Sequence, residues 1–200
     1  RIRSTSVRHD LTAIRITDPR EIALPAIGLL ELEDAETGEL ILIDTNDRQG
    51  LEAYARACID ASYNVSIGYD LPLTTISLVQ GTALGGGMEG ALAANVIVAE
   101  RGVQMGLPEV MFNLFPGMGA YSFLSRRLGA SEAERIILSG KTWRAEELHE
   151  LGMIDILAEP GHGKTAVREY IADRQRRSPN TAMAMQRVRK AVDPVSYEEL

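Results

Sequence analysis

Along the first 48 residues apolar and polar positions alternate in short runs: Leu11-Thr12-Ala13-Ile14-Arg15-Ile16, Gly28-Leu29-Leu30-Glu31-Leu32-Glu33 and Leu40-Ile41-Leu42-Ile43-Asp44. Alternation with a period of two turns one face of an extended chain toward a core, so each run predicts a strand. Asp18-Pro19 and a turn at Glu36-Thr37-Gly38 separate them. From Gly50 the period lengthens. Leu51, Tyr54, Ala55, Cys58, Ile59 and Ser62 recur at helical spacing and predict a helix over about 50–68. This change of texture places a boundary near residue 48, with a strand-rich segment at 1–48 and a core at 49–200.

The core reads as alternating α and β elements. Thr74 to Gln80 is a β-branched run of strand length, followed by Gly81, the triple glycine Gly85-Gly86-Gly87 and a helix over Met88 to Ala94. Val96 to Ala99 and Val103 to Gly106 predict short strands, and Ala120 to Leu128, Ser131 to Leu138 and Ala145 to Leu151 predict helices. Ser131 and Glu134 have the spacing of a capping box, in which each side chain satisfies a free backbone N–H. Met153 to Ala158 predicts a last strand, and Lys164 to Arg177 and Pro179 to Val192 predict polar-faced helices.

Composition narrows the function classes. Two hundred residues, 45% of them hydrophobic, suffice for one well-buried core. A formal net charge of −7 and a pI near 5.1 argue against binding nucleic acid through its phosphates and against lying on an anionic membrane. No apolar run approaches the roughly 18 residues of a membrane span, and Arg1-Ile2-Arg3-Ser4 leads into no signal-peptide core. The single cysteine, Cys58, reads as a small core residue and fits a reducing compartment, so the expected location is cytoplasmic. The chain opens at Arg1, without Met and in mid-pattern, as a fragment or a processed chain would.

The chemistry concentrates between Thr74 and Gly119. A strand, a glycine turn and a helix present backbone N–H groups to an anion. Glu89 stands in the first turn of that helix, where a carboxylate can act on the carbon next to a thioester carbonyl while the amides stabilise the enolate. Glu109 follows Pro108 at a strand-to-helix corner; alone it could equally complement a helix dipole.

Gln80-Gly81-Thr82-Ala83-Leu84-Gly85-Gly86-Gly87-Met88-Glu89 resembles the crotonase (enoyl-CoA hydratase/isomerase) motif, and Gly106-Leu107-Pro108-Glu109 resembles that superfamily's second glutamate box, twenty residues on. Phe115-Pro116-Gly117-Met118-Gly119 is similar to the following proline-glycine turn, and 145–155 to the later helix and leucine-glycine region. The resemblance covers about residues 50–200. It implies an α/β fold, a crotonase-like spiral of β-β-α units with C-terminal helices, here preceded by the short strand-rich segment. It further implies an acyl-CoA or acyl-carrier-protein thioester as substrate and partner, no permanently bound cofactor, no metal, and assembly as a homotrimer or hexamer.

In that superfamily the positions of Glu89 and Glu109 share water activation and proton transfer at C2 and C3 of the acyl chain. The N–H at the position of Gly86 gives half of the oxyanion hole, and Gly117 matches a backbone position that helps hold the water. Because a free glutamate titrates near 4.3, burial has to raise one of the pair for it to serve as an acid near neutrality. The run from Pro108 to Leu124 is most similar to bacterial diffusible signal factor synthases, which dehydrate 3-hydroxyacyl-carrier-protein to a cis-2-enoyl chain and hydrolyse the thioester. Leu84, Met88, Met111 and Leu114 are candidates to line an acyl pocket, although each also reads as ordinary core.

Two features depart from the pattern. The earlier glycine-aspartate turn that supplies the second oxyanion donor in crotonases is not found, and loss of one such donor costs about 100- to 1,000-fold in rate. Residues 1–48 instead resemble the C-terminal part of a von Willebrand A-like bacterial family, through Val7 to Ala13 and the turn Glu33 to Glu39. The alternatives to a signal synthase are therefore an ordinary enoyl-CoA hydratase and a catalytically silent crotonase-fold chain used for assembly.

Other signals carry less. Gly161-His162-Gly163-Lys164-Thr165 lacks the first glycine of a phosphate loop, where Ala158 stands. His9, His149 and His162 lack metal-ligand spacing. Ser122 and Ser125 have no nucleophile elbow. Arg168, Arg174, Arg176 and Arg177 read as a solvated helix face, or else as a contact for an acidic carrier or a coenzyme phosphate.

Overall fold

The computed structural model describes residues 11–16, 29–33, 40–44, 48–71, 73–176 and 195–200. Its central sheet is four parallel strands in the order β1 (Leu11–Ile16), β4 (Thr74–Val79), β6 (Val96–Glu100), β9 (Ile156–Ala158). Parallel strands covered on both faces need apolar residues at nearly every position. Accordingly β6 is buried throughout, and β4 is buried from Thr75 onward.

Alternate residues feed two cores. Val79, Ile97 and Ala99 join the main cluster, with Leu92, Leu124, Ile136, Ile137 and Leu148. Ile76, Leu78, Val96 and Val98 point the other way, onto Val167 and its neighbours in the helix Gly163–Arg176. A reciprocal pair sets the start of β4 against β6: the Thr75 N–H donates to Asn95 Oδ1 and the Asn95 N–H to Thr75 Oγ1, both at 2.9 Å.

The strands expected in the N-terminal segment are present. β1 pairs in register with β4, Leu11 opposite Thr74 through Ile16 opposite Val79, so this segment extends the sheet of the core. β2 (Leu29–Glu33) and β3 (Leu40–Asp44) form a separate antiparallel pair. The turns expected at 18–19 and 36–38, the helix expected over 179–192 and Arg177 lie outside the described residues.

Helix α1 runs from Arg48 to Ser66. Ser62 and Val65 near its C-terminal end are buried, whereas Leu51 and Tyr54 are exposed and Cys58 is half-buried. The remaining α-helices among the described residues are α2 (Gly86–Ala93), α3 (Ala120–Leu128), α4 (Ala130–Ser139), α5 (Ala145–Glu150) and α6 (Gly163–Arg176). The short strands β5 (Ala83–Leu84), β7 (Gln104–Gly106) and β8 (Thr142–Arg144) make a second layer.

Two local expectations are corrected. Ser131 does not cap α4: that helix starts one residue after Gly129, which is its N-cap at φ 87°, so Ser131 already lies inside it. The strand expected over 153–158 is confined to Ile156–Ala158. The N–H groups of Met153 and Ile154 both turn back to the Leu148 carbonyl and close α5 instead, burying both side chains.

Candidate active site

The chain leaves β5 at Gly85, whose φ of 55° favours glycine and swings the backbone into α2. The Gly85 N–H donates to the Gly106 carbonyl at 2.9 Å, tying this turn to the end of β7. Gly86 is the first residue of α2, and a helix offers its first amide no internal acceptor. The glycine pattern predicts that this N–H faces an anion. One helical turn on, the Glu89 N–H donates to the Gly85 carbonyl at 3.0 Å, and the Glu89 side chain is only 2% exposed.

Glu89 is anchored from a distant segment. Its Oε1 accepts the Met118 N–H at 2.8 Å and the Ala120 N–H at 3.0 Å. These amides converge because Gly119 between them sits at φ 104°, as the N-cap of α3. Sequence reasoning named Gly117 here, as a backbone position that helps hold a water, and missed Met118 and Ala120; the signal was the second glycine of Pro116-Gly117-Met118-Gly119. Burial lifts the Glu89 carboxyl from an ordinary 4.5 to about 7. The Ala120, Met118 and Gly117 amides oppose that rise, and the charge of Glu109 adds to it.

Glu109 opens a short 3-10 turn, Glu109–Phe112, directly after Pro108. It is half-buried, and burial raises its carboxyl too, partly offset by its own backbone. Its Oε1 lies 3.1 Å from where a Cβ on Gly85 would stand, so the missing side chain at 85 makes room for it. Its Oε2 is buried with no hydrogen-bond partner among the described residues. The two glutamates thus border the same glycine. One is clamped by amides; the other keeps a free oxygen.

The four candidate pocket residues do not behave alike. Met88 has no exposed surface and belongs to the closed main core, in contrast to the expectation that it lines a pocket. Leu84 is half-buried at the end of β5. Met111 and Leu114 are 70% and 51% exposed, beside exposed Phe112 and Phe115. Gly117 is exposed next to the Glu89 anchor. An open groove of about 690 Å³ shares this loop; Phe115, Gly117, Tyr121, Ile137, Leu138 and Leu200 are among its walls, and neither glutamate is.

The phosphate-loop-like run at 161–165 already holds an anion of the chain itself. Glu100 at the end of β6 accepts the Gly161 N–H at 2.8 Å, the Gly163 N–H at 2.9 Å and Gln80 Nε2 at 2.8 Å. Burial works to raise the Glu100 carboxyl, but these donors outweigh it and hold it below the usual carboxylate range. Ser122 and Ser125 donate to the carbonyls of Glu199 and Ser122, as packing serines. Arg174 rests on Tyr170, donating to its hydroxyl at 2.9 Å. No helix among the described residues is long and apolar enough to cross a membrane.

Known proteins bear out the resemblance. Residues 1–63 match a protein family of unknown function, DUF58. The glyoxysomal fatty acid beta-oxidation multifunctional protein MFP-a of Brassica napus is 37% identical over 106 residues, which are 52% of this chain and 15% of that protein. The peroxisomal counterpart AIM1 of Arabidopsis thaliana is 40% identical over 98 residues, 49% of this chain and 14% of that protein. Among solved structures, DspI of Pseudomonas aeruginosa superposes with a TM-score of 0.63 at 28% identity, covering 72% of this chain and 58% of DspI. An enoyl-CoA hydratase subunit I of Geobacillus kaustophilus gives 0.62 at 28% identity, over 78% of this chain and 59% of its own. The chain thus spans well under two thirds of the length of each. Residues 47–199 match the enoyl-CoA hydratase/isomerase family, and with its crotonase fold the chain belongs to that family.

Proposed function

We propose that this chain removes water from a 3-hydroxyacyl thioester carried by acyl carrier protein and then hydrolyses the thioester, releasing a cis-2-unsaturated fatty acid. The observation that carries the dehydration is the pairing of a buried, amide-anchored Glu89 that titrates near neutrality with a Glu109 whose Oε2 is free. In this reading the Gly86 N–H donates to the thioester carbonyl. Glu109, as its carboxylate, takes the C2 proton through its free Oε2, and the negative charge moves onto the carbonyl oxygen. Glu89, still protonated in a good part of the molecules at neutral pH, gives its proton to the C3 hydroxyl. The C3–O bond breaks, water leaves and the C2–C3 double bond forms.

The Glu89 carboxylate so produced can then activate a water for attack on the carbonyl, and the carrier thiolate leaves with the proton. Support for the carrier, the cis geometry and the hydrolysis is the likeness of the run Pro108 to Leu124 to signal factor synthases. A second reading, hydration of a trans-2-enoyl-CoA, is favoured by the 37% and 40% identity to the fatty acid beta-oxidation proteins. Either activity would be carried by a homotrimer or a hexamer, with a cytoplasmic location, as the family resemblance implies.

Mass spectrometry separates the readings. The chain is incubated with a medium-chain 3-hydroxyacyl-carrier-protein and, separately, with the coenzyme A thioester, each with and without Glu89→Ala or Glu109→Ala. A free cis-2-enoic acid that either substitution abolishes supports the synthase. Reaction of the coenzyme A thioester alone, without hydrolysis, supports the hydratase. No turnover by a chain that circular dichroism shows to be folded refutes both and leaves an assembly role.

A further inference from the structure

Residues 195–200 pack across the helix that begins at the Glu89 anchor. Val195 is buried, and a 3-10 turn follows at Tyr197–Glu199, closed by the Ser196 N–H donating to Glu199 Oε2 at 2.8 Å. Ser122 Oγ on α3 donates to the Glu199 carbonyl at 2.9 Å, and Arg126 Nη2 to Glu199 Oε1 at 2.8 Å. On the other flank the Tyr197 hydroxyl donates to Asp60 Oδ1 at 2.8 Å, and its ring meets Tyr63 edge-on at 5.3 Å. So fastened, Leu200 packs on the main core, and its Cδ2 fills the space a Cβ on Gly119 would take.

Gly119 is the residue between the two amides that clamp Glu89. A glycine ranges over more backbone conformations than any other residue, so something else has to hold it where both amides meet one oxygen. Phe123 bounds the same space: its Cε2 lies 2.9 Å from that Cβ position, but Phe123 belongs to α3 itself, whereas Leu200 comes from a separate segment. We propose that Leu200 and the Ser122–Glu199 hydrogen bond are positioning elements for Glu89, holding Gly119 so that the Met118 and Ala120 N–H groups converge on its carboxylate.

A looser Gly119 weakens two donors that favour the charged carboxylate, while burial and the charge of Glu109 on the neighbouring turn keep favouring the neutral acid. Arg126 and Glu199 beside the strap pair with each other. Undoing the strap therefore raises the proton affinity of Glu89. The catalytic consequence rests on the function proposed above, but the effect on Glu89 itself does not require turnover.

Isotope-edited infrared spectroscopy of the full chain with 13C-labelled glutamate reads that effect directly, the Glu89 band being assigned by its disappearance in Glu89→Gln. Leu200→Ala and Ser122→Ala are expected to move the Glu89 midpoint upward by about one unit, since a hydrogen bond to a charged group has that order of worth. Leu200→Met, which refills the space, is expected to restore it. An unchanged midpoint in folded Leu200→Ala overturns the proposal; if that variant fails to fold, an unchanged midpoint in Ser122→Ala does so. Where turnover is seen, the pH profile of kcat moves with the midpoint while KM stays; a change in KM alone also refutes it.

Discussion

Replacing Glu89 by glutamine turns the proton affinity of this carboxyl into a measurable stability. In the unfolded chain the group titrates near 4.5, in the folded chain near 7. Between these values the folded state binds more protons than the unfolded one, so stability falls as pH rises. The contribution is whole below pH 4.5 and is lost as pH passes through about 7. At 1.36 kcal/mol per unit, the rise is worth about 3 kcal/mol. Glutamine keeps the shape, carries no charge, and its carbonyl can still accept the Met118 and Ala120 N–H groups. Urea unfolding followed by Trp143 fluorescence and circular dichroism, at pH 4.5 to 8.5, gives the difference between the two proteins. Wild type should lose about 3 kcal/mol relative to Glu89→Gln across that window. Glu109 is common to both proteins and largely cancels. A difference that stays flat with pH would refute the reasoning, because Glu89 would then titrate alike folded and unfolded.

Two further outcomes test the frame around the site. Glu100→Ala should cost about 2 kcal/mol, because the buried amide of Gly163 and the more exposed amide of Gly161 lose their acceptor. Its contribution has the opposite pH sign to that of Glu89: the folded carboxyl is held low, so the stability is present above pH 4.5 and is lost as pH falls through the folded value, which chemical unfolding from pH 7 downward checks. Gly85→Ala should destabilise by about 1–2 kcal/mol through its left-handed φ. The added Cβ, 3.1 Å from Glu109 Oε1, should also lower turnover more than this loss explains, read as kcat in protein that is fully folded.

Short windows of sequence determined the local elements and the chemical types. An apolar period of two marked β1 and a β-branched run marked β4, each within a residue of its bounds, and glycine turn chemistry marked the entry to α2. The twenty-residue spacing of Glu89 and Glu109, with Gly86 before them, was legible because motif order is a property of the chain alone. Where a local signal met a competing contact it failed: Ser131 had the right partner for a cap, but the chain turned at Gly129 first. Met88 and Met111 look alike in sequence, yet one is sealed in the core and the other is open.

Only the tertiary structure decided which amides hold Glu89, 29 and 31 residues away along the chain, and that Glu100 reaches Gly161 and Gly163, 61 and 63 residues away. It also decided that β1 joins the core sheet beside β4. The physical reason is the same in each case. Periodicity and turn preference belong to neighbours in sequence, whereas burial, hydrogen-bond convergence and proton affinity are sums over groups that meet only when the chain is packed.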